Sequence, residues 1–453
     1  MILNGKAAEE FDANVVSSGQ MNDWINECIN IYKGSPCWLD ESDEIDTVNF
    51  AKSICSETAR LATLGIGIRV DGSARAEWLQ QQIDKVYYQL RNWVEYGCAH
   101  GTIVLKPNGN TIDLYTPGQF EITHSSDDVI DGMVFMDTEQ AGDKWYTRLE
   151  YHRFVGDQYH ITNKCYVGNS EGELKKRVAL ELSPWNYLEE EVAVKNINRP
   201  LFAPLRMPQA NNIDLGSPYG LPIFSEAVQE LRSLDIAFSR NASEIADSKR
   251  IIMADDSLLV EHGRKINKGG AENEAKRIGL PKMVKMVRGD GRETYYQEIN
   301  PQLNTTSRLE GINALLSQIG YKVGFSNGYF VFNESTGIQT ATGVEAEQQR
   351  TVQFIKDVRD KLESCISDLI YALNVFADLY GLSAAGNYEL ALDFGDITYN
   401  PDEDRQRWWS YVLAGKMPAW RFYVKFEGMT EEEAKAVVEE ATPKTPALFN
   451  FEE

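Results

Sequence analysis

The sequence predicts an α+β fold, and three features carry that prediction. Apolar residues recur at helical spacing over the first hundred positions. From Gly101 the period shortens toward two, and a run of short strand patterns follows with turn residues between them. Beyond Pro218 the helical period returns, and it ends in one very long apolar stripe. At 453 residues the chain can bury more than one core, and about two to four domains are expected. Hydrophobic and charged contents of 43% and 25% are ordinary for a globular protein.

Taken in order, helical patterns cover roughly 21–32, 46–64 and 74–96. The last of these sets Trp78, Ile83, Val86, Tyr87, Leu90 and Trp93 on one side. Strand patterns follow at 102–106, 111–115 and 120–123, with Pro107-Asn108-Gly109 as the first turn. Further strands are expected at 132–136, 145–154, 158–167 and 177–181, which together describe an antiparallel sheet beside helices. Residues 198–218 are rich in Pro, Asn and Gly and read as a linker.

A pair of striped helices comes next. The first, at 221–249, carries Phe224, Ala227, Leu231, Leu234, Phe238, Ala242 and Ile245 at i+3/i+4 spacing. The second, at 305–323, carries Leu309, Ile312, Leu316, Ile319 and Val323, with Ser307 and Glu310 spaced as a capping box. Between them, residues 250–296 hold ten Lys/Arg and seven Asp/Glu, a local net of +3 in a chain of net charge -23. A helix going out, a β-rich tip and a helix coming back describe a projecting hairpin, a shape suited to docking. Gly324 to Gly337 interleaves glycine with aromatic residues and reads as a loop.

A long helix is expected at 344–380, with Thr342 and Glu345 spaced as a second capping box and Gly381 as its stop. Its stripe of Ile355, Val358, Leu362, Ile366, Leu369, Leu373, Phe376 and Tyr380 keeps heptad-like spacing along a rod of about 55 Å. Helices at 402–413 and 430–440 precede an acidic, proline-containing tail.

Several function classes lose support from composition. The sequence has no apolar run of about 18 residues that would cross a membrane. The opening Met1 to Val16 lacks the basic-then-apolar order of a signal peptide, so a cytoplasmic chain, or one assembled there, is expected. Six scattered cysteines and five histidines show no zinc spacing and no CxxC pair, which points to free thiols in a reducing compartment. A net charge of -23 opposes gripping nucleic acid by its phosphates, although it allows a protein that surrounds DNA without gripping it.

Three fragments invite an enzyme reading. Val192-Ala193-Val194-Lys195 and Asp393-Phe394-Gly395 resemble pieces of protein kinases, but the glycine-rich loop and the His-Arg-Asp loop are missing. Gly65-Ile66-Gly67 lacks the third glycine of a dinucleotide site and reads as a loop pair. No GxxxxGK[ST] motif occurs, so the chain is not itself a P-loop motor. The carboxylates Asp396, Asp402 to Asp404, Glu189 to Glu191 and Glu431 to Glu433 are candidate metal ligands. Asp402 and Glu431 are equally explained as acids complementing helix N-termini. The basic insert has three readings: a nucleic-acid patch, a protein-docking tip or a solvated loop face. Its interspersed acids make the first the least favoured.

The ordered set of parts resembles the portal proteins of tailed bacteriophages, the head-to-tail connectors of siphophages of Gram-positive hosts in particular. The matching parts are Gly216-Ser217-Pro218-Tyr219-Gly220 leading into the first long helix, the β-rich insert, and the return helix. They continue with the loop, Thr340-Ala341-Thr342-Gly343-Val344-Glu345, then Asp393 to Asp396, Asp404 and the turn Leu413 to Pro418. The family more often has Glu where Gly343 stands.

The resemblance implies a portal fold: an α/β wing at 1–215, a first stem helix at 216–249, a clip at 250–304 and a second stem helix at 305–325. A tunnel loop at 326–341, a long backbone helix at 342–381, and a crown with acidic tail at 382–453 complete it. It implies a non-enzymatic homo-oligomeric ring, usually of twelve copies, at the capsid vertex of a virion assembled in the host cytoplasm. Implied partners are the terminase large subunit, a head-completion adaptor, the major capsid and scaffolding proteins, and double-stranded DNA passing without sequence specificity during packaging and ejection. No cofactor, metal or membrane is implied.

The resemblance places clip docking at Arg264, Lys265, Lys268, Lys276, Arg277, Lys282, Lys285 and Arg288. It places stem packing between copies at Leu231, Phe238, Leu309, Leu316 and Ile319. Tunnel-loop residues facing DNA would be Asn327, Gly328, Tyr329, Phe330, Asn333 and Glu334. Residues 327–337 hold one acid and no Lys/Arg, so contact with DNA is expected to be weak and steric. Packing of the aromatics beneath the loop is the alternative. Two other classes remain open: a soluble metal-dependent enzyme using the C-terminal carboxylates, and another self-assembling capsid or connector protein.

Overall fold

The structure is a computed structural model that describes residues 5–39, 45–109, 111–126, 129–248, 251–255, 284–287, 296–299, 304–332, 341–395 and 401–441. The chain divides into two units, Met1–Asp393 and Phe394–Glu453. Its class is α+β, and among the described residues the strand pairs are antiparallel apart from one parallel pair.

The first unit opens with a single helical turn, α1 (Lys6–Glu9), whose Ala7 and Ala8 are buried against Val134, Leu149 and Tyr151. Helix α2 (Gly19–Lys33) starts where Ser18 Oγ accepts the Met21 N–H and stops at Gly34 in the left-handed region. Helix α3 (Phe50–Ala62) begins four residues later than its apolar pattern suggested. Asn49 sits at φ 50, a conformation through which a right-handed helix cannot propagate backward.

Strand β1 (Gly67–Gly72) follows; Gly67 opens it, so the expected loop pair is half strand. The single helix expected at 74–96 is instead α4 (Ala74–Val86) and α5 (Leu90–His100), joined by a tight turn at Tyr87–Gln89. Tyr87 Oη donates to the Ile66 carbonyl at 2.6 Å, and Tyr88 is 90% exposed, so the apolar side is interrupted there. Gly101, at φ +77, ends α5; a Cβ there would stand 2.2 Å from the Gly220 carbonyl oxygen.

Strands β2 (Thr102–Asn108) and β3 (Thr111–Tyr115) form a hairpin, but Pro107 and Asn108, expected in the turn, lie inside β2 opposite Ile112 and Thr111. The main sheet is built from β4 (Phe120–Ser126), β5 (Val129–Ala141), β6 (Lys144–Val155), β7 (Gln158–Gly168), β8 (Lys176–Val178) and β9 (Glu191–Lys195). Its order is β4-β5-β6-β7-β8, with β9 also on β7. The strand expected to reach 181 ends at Val178, where a turn at Leu180–Leu182 buries Leu180. The expected linker contains β10 (Ala203–Arg206), which pairs with β2 and buries Leu205. Proline content hid it: β10 has one neighbouring strand, so the missing Pro204 N–H costs no ladder bond on its open side. Met21, Ile25, Tyr115, Phe120, Phe135, Phe202 and Leu221 form one core, each full burial contributing about 1.5–3 kcal/mol.

Next come α6 (Val228–Asp247), β11 (Ile251–Asp255), β12 (Val284–Val287), β13 (Tyr296–Ile299), α7 (Thr305–Val323), α8 (Ala341–Leu379) and β14 (Tyr388–Asp393). Helix α8 has 39 residues and is about 58 Å long. Its stripe from Ile355 to Leu373 is buried inside this chain, where the helix lies on β10, β2, α3 and α4. Gly381, at φ +61, follows it, and Leu382 N donates back to Ala377 O at 3.0 Å. The fully buried Arg75 completes this end by donating to the carbonyls of Asn374, Ser383 and Ala384 and to Asp378. Strand β14 then pairs with β1 from Gly67↔Asp393 to Gly72↔Tyr388.

The second unit holds α9 (Pro401–Leu413), α10 (Ala419–Glu427) and α11 (Glu431–Ala441). Helix α10 was not anticipated. Trp409 and Phe426 flank Phe422 at 4.9 and 5.0 Å, and Phe422 and Ala434 are the buried side chains among its described residues. Thr430 and Glu433 cap α11 reciprocally: Thr430 N donates to Glu433 Oε2 at 3.0 Å, and Glu433 N to Thr430 Oγ1 at 3.4 Å.

Candidate functional site

The hairpin read from sequence is present as α6 and α7, running antiparallel. Lys322 Nζ lies 2.7 Å from Glu230 Oε1 at one end, and Arg308 pairs with Glu244 at the other. Gln318 Nε2 also donates to Glu230 Oε1 at 3.2 Å, and Lys322 Nζ to the Glu226 carbonyl at 3.0 Å. Helix α6 begins at Val228 rather than at 221, because the chain first makes a short turn at Ser225–Ala227 after Pro222. Helix α7 keeps the expected span, but not through the expected capping box. Asn304 precedes its first residue, and Ser307 lies inside the helix. The second box is displaced in the same way, since α8 opens at Ala341, ahead of Thr342.

Burial divides the hairpin into two halves. Near its base Leu231, Leu234, Ile312, Leu316, Ile319 and Val323 are at most 4% exposed. Leu231, Leu316 and Ile319, expected to pack between copies, are thus already buried within the single chain. Phe238 and Leu309 are half-buried. Toward the tip, Ala242 and Ile245 are exposed, Ile245 by 52%.

Beyond the tip, the backbone of β11, β12 and β13 forms a three-stranded sheet with β11 in the centre. Ile252↔Val284 begins the parallel register, and Ile251↔Ile299 the antiparallel one. Lys285 stands on β12. Arg264, Lys265, Lys268, Lys276, Arg277, Lys282 and Arg288 lie outside the described residues.

The segment after α7 is tied to three other elements. Ser326 N donates to Thr351 Oγ1 at 2.8 Å on α8. Tyr329 Oη donates to Glu57 on α3, and Phe330 packs edge-on against Phe50 and Phe325 at 5.3 and 4.8 Å. Asn313 on α7 exchanges two hydrogen bonds with the Phe332 backbone, at 2.9 and 3.0 Å. The Glu57 carboxyl is held below its ordinary value by the Arg60 hydrogen bond and then by Tyr329. Burial, with the Glu57 bond, pushes the Tyr329 hydroxyl up to about 12. For Phe330, packing beneath the loop is thus the observed state; Tyr329 remains 38% exposed, and Asn327 is exposed. Asn333 and Glu334 lie outside the described residues.

Other candidates resolve into structural positions. Lys195 is exposed at the end of β9, opposite Gln158, and Asp393 closes β14 opposite Gly67. Glu191 pairs with His160, and Glu433 caps α11. Asp402 to Asp404 occupy the first turn of α9, and Asp396 lies outside the described residues. Among the described residues no group of three or more His, Cys, Asp and Glu is placed to hold a metal ion. Two open clefts, of about 600 and 440 Å³, are lined by Gln20, Asp23, Trp24 and Ile213, and by Val48, Asn49, Lys52, Ser53, Ser56 and Glu57. Neither brings a nucleophile together with a histidine.

Sequence reasoning missed the densest polar cluster. Glu150 Oε2 accepts from Lys106 Nζ at 2.6 Å and Arg148 Nη2 at 2.9 Å, and Glu150 Oε1 faces His152 Nε2 at 2.7 Å. His152 Nδ1 meets Tyr159 Oη at 2.9 Å, and Tyr159 Oη accepts the Leu201 N–H at 3.0 Å. Arg148 also pairs with Asp137 at 2.5 Å, and Tyr115 Oη donates to Asp137 at 2.8 Å. Lys106 and Arg148 hold the Glu150 carboxyl far below the carboxylate range despite its burial, while burial holds His152 below its ordinary value. Lys106, Arg148 and His152 are at most 4% exposed, so the cluster locks two sheets together and offers a substrate no entry. Arg148, Glu150 and His152 alternate along β6, a period-two signal that such residues share one face. The comparison with protein-family models and that with curated proteins find no match to this chain.

Proposed function

We propose that this chain is a phage portal protein: a non-enzymatic subunit of a ring, usually of twelve copies, at a capsid vertex, through which DNA is packaged and later ejected. The observation that carries the reading is the path from α6 to α8. An antiparallel helix pair holds a small separate sheet between its far ends, and a tethered loop then leads into a 39-residue helix. That order of parts is the one on which the sequence resembles portal proteins. The small sheet and its basic insert would then dock the terminase motor and the head-completion adaptor. The net charge of -23 per copy suits a channel wall that offers translocating DNA no deep phosphate traps. With the base of the hairpin buried in its own chain, contacts between copies fall to exposed positions such as Ala242 and Ile245.

Deleting 255–295 tests the assignment of parts. The shortened chain is expected to assemble as before and to lose retention of the packaging ATPase of the same virus in a co-purification. Retention unchanged by the deletion contradicts the docking role, and loss of folding contradicts the reading of the insert as a separate tip.

A further inference from the structure

Strands β1 and β14 form a two-stranded ribbon whose outer edges differ. On the β1 side, Gln80 of α4 stands where a neighbouring strand would. Its Oε1 accepts the Val70 N–H at 2.8 Å, and its Nε2 donates to the Ile68 carbonyl at 3.2 Å. Ile68 and Val70 therefore turn their backbone groups away from β14. The antiparallel register sets Leu392 opposite Ile68, Leu390 opposite Val70 and Tyr388 opposite Gly72, so these three turn theirs away from β1. Among the described residues nothing bonds to those outward N–H and C=O groups. Nor does β14 carry the usual protection of an edge: Tyr388–Asp393 has no proline, no lysine and no bulge in its register.

The side chains repeat the asymmetry. Ile68 and Val70, beside α4, are at most 8% exposed, whereas Leu390 and Leu392 on the same face are half-buried. The apolar face thus continues past the last strand that covers it. The opposite face presents Glu389, Ala391 and Asp393, all exposed.

We propose that β14 is a docking edge for an extended segment of another protein, one in which apolar residues alternate with lysine or arginine. The added strand takes backbone hydrogen bonds from Tyr388, Leu390 and Leu392 and lays its apolar side chains beside the two leucines. Its basic side chains then stand beside Glu389 and Asp393. Charge disfavours a second β14 in that place, because Glu389 and Asp393 of both copies would share one face.

Fluorescence anisotropy on the full chain tests this, with the labelled peptide Lys-Val-Lys-Val-Lys-Val-Lys as probe. The net charge of -23 attracts any basic peptide, so Val-Val-Val-Lys-Lys-Lys-Lys, with the same charge and no alternation, is the control. The alternating peptide is expected to bind about tenfold more tightly than the control. Leu390→Pro is expected to weaken it about tenfold, since the substitution deletes an outward N–H and spares the β1 ladder. If that variant does not fold, Glu389→Lys combined with Asp393→Lys is expected to turn the preference toward Glu-Val-Glu-Val-Glu-Val-Glu. Hydrogen exchange locates the peptide, which is expected to slow the amides at 388–392. Equal binding of the two lysine peptides, or binding that neither variant alters, overturns the proposal. So does an absence of binding; if Leu390→Pro then changes the association of copies, the edge belongs to a second copy instead.

Discussion

Two lysine–glutamate pairs in this molecule have nearly the same geometry and very different surroundings. Lys106 and Glu150 meet at 2.6 Å between two sheets, with side chains 3% and 10% exposed. Lys322 and Glu230 meet at 2.7 Å across the hairpin, with side chains 34% and 13% exposed. In the first, each ion has lost its water and depends on its partners, so removing one strands the others in a low-dielectric interior. In the second, water reaches the lysine and can replace what a substitution removes. Contact distance therefore says little about the worth of an ion pair; the solvent left around it decides. The body of the protein is accordingly cross-braced by buried charge, and the hairpin is held mainly by its apolar base.

The widest separation of the two regions comes from Lys106→Met, expected to lower stability by roughly 3–5 kcal/mol in urea denaturation, because Glu150 is left buried beside fewer cations. Adding Glu150→Gln to it should restore part of that loss, and simple additivity of the two would break the network account. Next, Leu316→Ala is expected to cost about 3 kcal/mol, independent of protein concentration, since that side chain is 1% exposed within one chain. A cost that appears only where copies associate would return Leu316 to a seam between them.

Acid should act on the body before the hairpin. Burial lowers His100 from 6.5 to about 4, so between those values the unfolded chain binds a proton that the folded chain refuses. Its contribution is complete above pH 6.5 and falls as pH drops toward 4, a loss of about 2 kcal/mol between pH 7 and pH 5. His152, also held low by burial, adds in the same direction, and the depressed Glu150 adds its loss at still lower pH. Urea midpoints at pH 7 and pH 5 measure this, and equal midpoints would contradict it. The smallest effect belongs to Lys322→Met, expected below about 1 kcal/mol and shrinking further with added salt.

What was legible in the sequence follows the range of the interactions involved. Helix α7 was read at both ends, because Leu309 to Val323 form one uninterrupted stripe and Gly324 stops it. The hairpin strands β2 and β3 were read from a local turn. Strands β1 and β14 were not, although Ile68 and Val70, and Leu390 and Leu392, alternate with polar or small neighbours, because each segment is short and its partner lies more than three hundred residues away, 67–72 pairing with 388–393. Strand β10 was concealed by Pro204 and by a partner almost a hundred residues earlier. Which lysine meets Glu150 depends on how one sheet lies on another, and no spacing along the chain encodes that. In the candidate site, the helix pair was visible as a pattern. The inward use of Leu231, Leu316 and Ile319 was not, because a stripe shows that a face is buried without showing by what.

The ring itself is the most direct test of the functional account. Native mass spectrometry of the purified chain, with negative-stain images of the same sample, is predicted to show a closed assembly of about a dozen copies around a central hole. A stable monomer, unchanged by protein concentration and by salt, would contradict the portal reading.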